Sequence, residues 1–456
     1  MADTFHETAD LADALATAID EDPADDVGTP ALVLGGDESA YAVVRALESY
    51  GVLTVVLDSD PNDIAWHSDA VEVAGQVADP ATDPEAFRED IAGIVDGTED
   101  GRVVAYPCSA AATRALLSDV PDGVLTGYDD PAAALALLDT ERLYALADEA
   151  GIERPDAVVA AGADAEGPLE REDPEAAARR LGYPVECTAA TGAWLADAVG
   201  ADPFVARDEE ALARAVAATE DAERRLVVRE RIALAEDRAV LALTGSEQAG
   251  QEGGEEVLLR EDDGTTRPLD EPPEENGAGT DEGLGAFVGG EVHHQARRGG
   301  RHGAVCLAET PGPDAERTVL EPARSLLTAA DCGGLAAARF GVTDDGRAVL
   351  LDASPHAPRW LRLVTDAGAN LPYISHITAT GGQQPSGDLT TSVRWVAFAD
   401  YLRHVAGGGE DTLTDNQWMA YIEGRYHYGP GLTAAVLHKS DVDVTYALLR
   451  RELGLS

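Results

Sequence analysis

Asp139-Thr-Glu-Arg-Leu-Tyr-Ala-Leu-Ala-Asp-Glu-Ala-Gly-Ile-Glu-Arg-Pro155 is the stretch on which the fold turns. An acid opens it, Leu143, Leu146 and Ala147 recur at helical spacing, and Gly151 closes it. Helices commonly start on Asp and stop on Gly in this way. The spacing predicts a helical stretch over 130–153 with this segment at its centre. Short apolar β runs follow at Pro155–Ala160, Tyr183–Glu186, Leu226–Arg231 and Ala239–Thr244, with helices at Pro174–Leu181 and Glu209–Ala218 between them.

Toward the N-terminus the pattern is that of a parallel α/β unit. Ala31–Leu34 reads as a buried strand followed by Gly35-Gly36. A helical run over Tyr41–Tyr50 stops at Gly51, and Val52–Leu57 is a second strand ending at Asp58. Val103–Tyr106 is another. Gly-Gly-Asp-Glu-Ser-Ala lacks the third glycine of a dinucleotide fingerprint, so Gly35 and Gly36 read as a tight turn. Residues 1–28 read as an acidic flexible leader, a short helix and then a linker. Toward the C-terminus, 246–290 is poor in apolar residues and rich in Gly, Pro and acid, the composition of a mobile loop or an extended hairpin. A helix is expected over about 317–332. The strands Ala336–Gly341 and Arg347–Leu351 follow, joined by Thr343-Asp-Asp-Gly346. Residues 386–456 read as an aromatic, helical tail.

Five segments in this order resemble the ATP-grasp family. Asp139–Pro155 resembles DK-x-x-x-x-x-L-x-x-x-G-I-P-x-P. Gly182-Tyr-Pro-Val-Glu-Cys-Thr-Ala resembles G-[FY]-P-V-hydrophobic-x-K-P. Val227-Val-Arg-Glu-Arg-Ile-Ala-Leu-Ala-Glu-Asp resembles the hinge V-x-[QE]-E-[YF]-I-x-G-x-[ED]. Ala337-Ala-Arg-Phe-Gly and Val349-Leu-Leu-Asp-Ala-Ser-Pro-His resemble V-E-F-K and F-x-L-I-E-I-N-P-R. Gly368-Ala-Asn-Leu-Pro-Tyr resembles the G-V-D-L-P-Y beyond them. The resemblance implies an α/β chain with a Rossmann-like pre-domain at 29–125 and an ATP-grasp body of two α+β lobes at 126–385. The C-terminal segment then spans 386–456.

The same resemblance implies an ATP-dependent carboxylate–amine ligase acting through an acyl phosphate. Its cofactors would be ATP and Mg²⁺, and its partners a small-molecule carboxylate and an amine. Carried over position by position, Glu230, Ile232 and Glu236 would hold adenosine. Asp352 and Ser354 would hold the metal, with hard oxygen ligands of the kind Mg²⁺ takes. Arg297 and Arg298, with Arg301, would face the phosphates. Thr188 stands where the family has its phosphate-contacting lysine, Thr140 where the opening helix has another, and Arg339 where it has its first metal acid. Arg339 lies thirteen residues before Asp352, as the family's two metal-binding acids do, and beside Asp352 it would either form a self-satisfied ion pair or stand as a fixed cation in place of one magnesium. These replacements support a second function class, a paralogue that keeps the fold as a binding or scaffold protein without phosphoryl transfer.

Plainer readings stand beside these. Asp352 is then only the partner of Arg339, and Arg229 and Glu230 are strand-edge surface charges. His293, His294 and His302 lack metal-ligand spacing and read as solvated loop residues. Cys108 and Ser109 follow a strand at a sheet's ligand edge without the pattern of a hydrolase nucleophile.

Composition sets the surroundings. The formal charge is −52, and Lys439 is the single lysine. Such a chain repels itself in dilute salt, and at 1 M salt the Debye length falls to about 3 Å. This is the profile of a halophilic, salt-rich cytoplasm. Nucleic acid is not an expected partner, since phosphate-binding surfaces need clustered cations. No apolar run reaches the roughly 18 residues of a membrane span, and the scattered Cys108, Cys187, Cys306 and Cys332 suit a reducing compartment.

Overall fold

The structure is a computed structural model that describes residues 4–21, 28–98, 101–161, 167–219, 224–245, 258–260, 266–268, 287–298, 304–311, 316–381, 393–422, 431–437 and 441–453. The first unit is a six-stranded sheet of β1 (Phe5–His6), β2 (Ala31–Leu34), β3 (Thr54–Asp58), β4 (Val73–Gln76), β5 (Val103–Pro107) and β6 (Val124–Thr126). Its order is β1-β4-β3-β2-β5-β6, and every pairing is parallel. The four residues of β2 are all buried, as expected of a strand covered on both faces. Asp37 caps the helix Glu38–Glu48 by accepting from the backbone N–H of Ser39 at 2.8 Å.

Residues 4–21 depart from the expected leader. Phe5–His6 adds a strand beside β4, and the helix Leu11–Glu21 seats Leu11 and Leu15, both fully buried, against the sheet. Apolar residues four apart on one helix face outweigh the acid between them. The helical stretch 130–153 is in fact two helices, Pro131–Ala136 and Thr140–Glu149, broken where the Asp139 carboxylate caps the second.

The second unit is a small antiparallel sheet of β7 (Ala157–Ala161), β8 (Val185–Ala189), β9 (Phe204–Ala206) and β10 (Leu226–Glu230), in the order β7-β10-β8-β9. Residues 231–235 lead from it into the large sheet. That hinge is seated by Leu234. A Cβ at Gly341 would lie 2.3 Å from Leu234 Cδ1, so glycine leaves the room the hinge needs.

The large sheet starts with β11 (Glu236–Thr244). The stretch 246–290 lies mostly outside the described residues; within it β12 (Leu258–Arg260) pairs with β13 (Thr266–Pro268). The sheet continues with β14 (Phe287–Arg297), β15 (Val305–Glu309), β16 (Gly334–Val342), β17 (Ala348–Ser354), β18 (Arg394–Val396) and β19 (Leu432–Ala434). Its order is β17-β16-β11-β14-β15-β18-β19. The expected helical tail therefore also supplies two strands. Trp395 on β18 is fully buried, and β19 runs parallel to β18. Aromatic residues there fill the core, where bulk is worth most.

The last described helix, Val442–Leu453, returns to the first unit. Just before it, buried Asp441 accepts from Ser68 Oγ at 2.7 Å and from the Asp69 backbone N–H at 3.0 Å, with Arg45 Nη1 at 3.6 Å. Replacing Asp441 by Ala leaves those donors unmatched, and an unpaired buried polar group costs about 1–3 kcal/mol. The expected outcome for Asp441→Ala is an earlier urea midpoint with an unchanged slope, measured by circular dichroism in concentrated KCl.

Candidate functional site

The hinge joins the small sheet to the large one, and the candidate cleft beside it has a floor built from β11, β14, β16 and β17. In register, Arg339 on β16 lies opposite Asp352 on β17 and opposite Ala239 on β11. Directly paired residues share a face, and so do residues two apart along a strand. Asp237, Arg339, Asp352 and Ser354 therefore look toward the same side.

The expected Arg339–Asp352 ion pair does not form the core of this group. Arg339 donates to Asp237 instead, from Nε at 3.0 Å and from Nη2 at 2.8 Å. Asp237 also accepts from Arg297 Nε at 2.8 Å and bonds His294 Nδ1 at 3.0 Å. One carboxylate is thus held by two guanidiniums and an imidazole. A diagonal partner on the neighbouring strand offers Arg339 a two-pronged fit, which a planar fork prefers. Burial alone would raise the Asp237 carboxyl, but the His294 hydrogen bond and Arg339 hold it far below the usual range.

His294 is 2% exposed at its side chain, so it is no solvated loop residue. It lies on β14, and burial pushes its imidazole down to about 4 against the pull of Asp237. At neutral pH the ring is uncharged, Nδ1 lies 3.0 Å from both Asp237 Oδ1 and Arg297 Nη2, and Nε2 is buried without a hydrogen-bond partner. His302 lies outside the described residues.

Asp352 is exposed to solvent along the strand. Its carboxyl is nonetheless raised above the ordinary value by the protein around it, although Arg339, Arg229 and Arg297 all pull it down. Arg229 comes from the small sheet and is not a surface charge. It is buried, donates from Nε to Glu186 Oε2 at 3.2 Å, and donates from Nη1 to the Tyr144 hydroxyl at 2.7 Å and to the Leu351 carbonyl at 3.1 Å. This side chain joins the small sheet to the strand that carries Asp352.

Thr188 lies on β8. Its hydroxyl donates to Asp202 Oδ1 at 2.6 Å, and burial raises that acid. A Thr–Asp pair therefore stands where a lysine would bring positive charge. The remaining expected residues are placed as follows. Glu236 is exposed and accepts from Arg238 Nε at 2.7 Å, on the face of β11 opposite Asp237. A period-two strand cannot turn neighbouring residues the same way, so Glu236 does not share the cleft with Asp352. The carboxylate of Glu230 accepts from the Asp156 backbone N–H at 2.9 Å, and Ile232 sits half-buried in the hinge. Arg297 is the last residue of β14, not part of a loop. Arg298 lies away from it, half-exposed and 3.2 Å from Asp400. Arg301 is outside the described residues.

Three of the expected residues, Asp352, Ser354 and Arg297, come together on the cleft floor, with Thr188 on the facing sheet. Asp237, Arg229 and Glu186 are the residues that motif matching passed over. Asp237 was legible in principle, because Glu236-Asp237 offers two acids and strand parity chooses between them.

A magnesium ion does not suit this floor. Asp352 and Ser354 supply one carboxylate and one hydroxyl, Arg339 puts a fixed cation on the opposite strand, and Asp237 is fully engaged. Among the described residues no group of three or more His, Cys, Asp or Glu side chains is close enough to hold a metal.

Two outcomes are expected from this arrangement. Removing the shared carboxylate in Asp237→Ala takes away the acceptor that both guanidiniums use and lowers stability by about 3 kcal/mol, read from urea unfolding. Separately, an unfolded histidine takes up a proton near 6.5, and His294 does so only near 4. Its contribution is complete above about 6.5 and is lost as pH falls toward 4. His356 and His376 are also pushed down to about 4, so the specific readout is the difference between wild type and His294→Gln. That difference should shift against the wild type between pH 6.5 and 4.

No protein-family model and no curated protein matches the chain. Solved structures do. The N5-carboxyaminoimidazole ribonucleotide synthetase of Thermotoga maritima superposes with a TM-score of 0.53 at 15% identity, over 79% of this chain and 78% of that one. The carboxyaminoimidazole ribonucleotide synthase of Aspergillus clavatus, complexed with ATP, gives 0.54 at 13% identity over 80% of each chain. Biotin carboxylase from Campylobacter jejuni, also solved with a nucleotide, gives 0.55 at 13% identity over 81% of this chain and 75% of that one. At such identities the likeness is one of fold, and that fold is a Rossmann-like domain leading into an ATP-grasp body.

Proposed function

We propose that the cleft between the two sheets binds ATP and that the chain is an ATP-dependent ligase joining a small-molecule carboxylate to an amine. The observation that carries this reading is the hinge-linked pair of sheets with Asp352, Ser354 and Arg297 on one floor, in a fold whose solved neighbours include complexes with ATP and ADP. In such a reaction a carboxylate oxygen attacks the γ-phosphorus and ADP leaves. The amine then attacks the acyl carbon and phosphate leaves. Arg297 and Arg339, which converge on Asp237, would meet the phosphate charge. Ile232 and the hinge backbone near Glu230 would border the adenine. Fixed donors aimed at developing charge are the largest source of catalysis in closed sites. No step is assigned to magnesium, because the floor offers it one carboxylate.

A specific observation favours a second reading. The guanidinium of Arg339 occupies the strand position of a metal-binding acid, and Thr188 serves Asp202 in place of a phosphate-binding lysine. A protein that binds nucleotide without transferring its phosphoryl group is consistent with both. The acidic composition supports work in a salt-rich cytoplasm, and the four cysteines are free and buried. Among the described residues no helix is long and apolar enough to cross a membrane.

The test is isothermal titration of ATP in about 2–3 M KCl, where long-range repulsion is screened, with and without Mg²⁺. The expected outcome is binding that changes less than about threefold when Mg²⁺ is added. Absence of binding to the folded protein would overturn the nucleotide reading. Release of ADP with candidate amines and carboxylates separates ligase from binding protein.

A further inference from the structure

The helix Val442–Leu453 has two unlike faces. Val444 and Ala447 are buried against the body of the protein. On the other side Val442 is 65% exposed, Tyr446 60%, Leu449 50% and Leu453 68%. Their spacing is four, three, four. That is the alternation of a coiled-coil seam, which brings successive apolar residues onto one stripe facing a partner helix. Scattered apolar residues on a surface are ordinary, whereas a continuous stripe is not.

The helix is also held rigidly. Asp441 fixes its start to Ser68 and Asp69. Near its end Arg451 donates to Asp63 Oδ1 at 2.5 Å and Glu38 Oε1 at 3.2 Å, and Arg403 bonds Glu452. The stripe cannot roll inward without breaking these pairs, so it is presented ready-made.

We infer that this stripe is the contact surface for a second copy of the same chain, with the two helices packed antiparallel about a twofold axis. A twofold contact must be self-complementary. In the antiparallel register Tyr446 meets the second copy's Leu449, and Val442 meets its Leu453. The residues flanking the seam on one side are Asp443 and Arg450, each one position after a seam residue. The antiparallel register sets Asp443 beside the second copy's Arg450, and by symmetry does so twice. A parallel register would carry Asp443 and Arg450 to the opposite edge of the seam from their copies, so the opposite-charge pairs form only in the antiparallel arrangement. The Arg450 guanidinium lies 5.8 Å from the centre of the Tyr446 ring, over the seam's edge. The stripe is short, and specific interfaces bury upward of about 1,000 Å² in total, so the dimer is concentration-dependent.

The full chain in about 1 M KCl, where only contacting charges still interact, is the material for the test, by sedimentation equilibrium across micromolar concentrations. A monomer–dimer equilibrium is expected. Leu449→Glu and Tyr446→Glu should each weaken it at least tenfold with unchanged circular dichroism, since both sites are exposed. Asp443→Arg and Arg450→Asp should each weaken self-association at least threefold. Mixed in equal amounts, those two single variants should form a heterodimer that recovers the wild-type affinity. A monomer at every concentration overturns the inference, and so does a dimer that neither Leu449→Glu nor Tyr446→Glu disturbs.

Discussion

Asp237 is the constraint on which the cleft depends. It sits between two guanidiniums and an imidazole drawn from β14 and β16, and each of those strands carries other groups of the floor. Two buried cations cannot lie this close without an anion between them. The carboxylate therefore sets where Arg339 and Arg297 can be, and so sets what is left for Asp352. Because the arginines turn to Asp237, Asp352 keeps an accessible carboxylate in a place crowded with positive charge.

The facing sheet follows the same economy. Arg229 is matched to Glu186, and Thr188 to Asp202. Arg229 also reaches the Leu351 carbonyl, one residue before Asp352. A side chain of the small sheet thereby grips the backbone of the large one. The cleft is closed at its inner edge by hydrogen bonding as well as by the hinge.

Much of this was legible in the amino-acid order. The β runs at Leu226–Arg231 and Ala239–Thr244, the glycine-closed helix at Asp139–Gly151, and the strand bearing Asp352 all declared themselves by spacing. What was not legible depended on parity and on partners. Glu236 and Asp237 are neighbours, and only the strand phase shows that one faces the cleft and the other Arg238. Arg339 and Asp352 are cross-strand neighbours, yet a better-shaped acceptor lies diagonally. His293 and His294 read as loop residues because the glycine-rich chain before them hides a strand. The acidic leader concealed Leu11 and Leu15, which composition averages away.

The two late strands carry a consequence for how the protein comes into being. β18 and β19 complete one side of the large sheet, and the helix Val442–Leu453 covers the Ala65–His67 turn of the first unit. During synthesis, β15 is therefore an open sheet edge until residues near 394 emerge, and the first unit keeps a bare face until residues near 453 do. The nascent chain carries the bare face through most of translation, and the open edge from about residue 309 to about residue 394. Both surfaces invite contact with neighbouring nascent chains until they close.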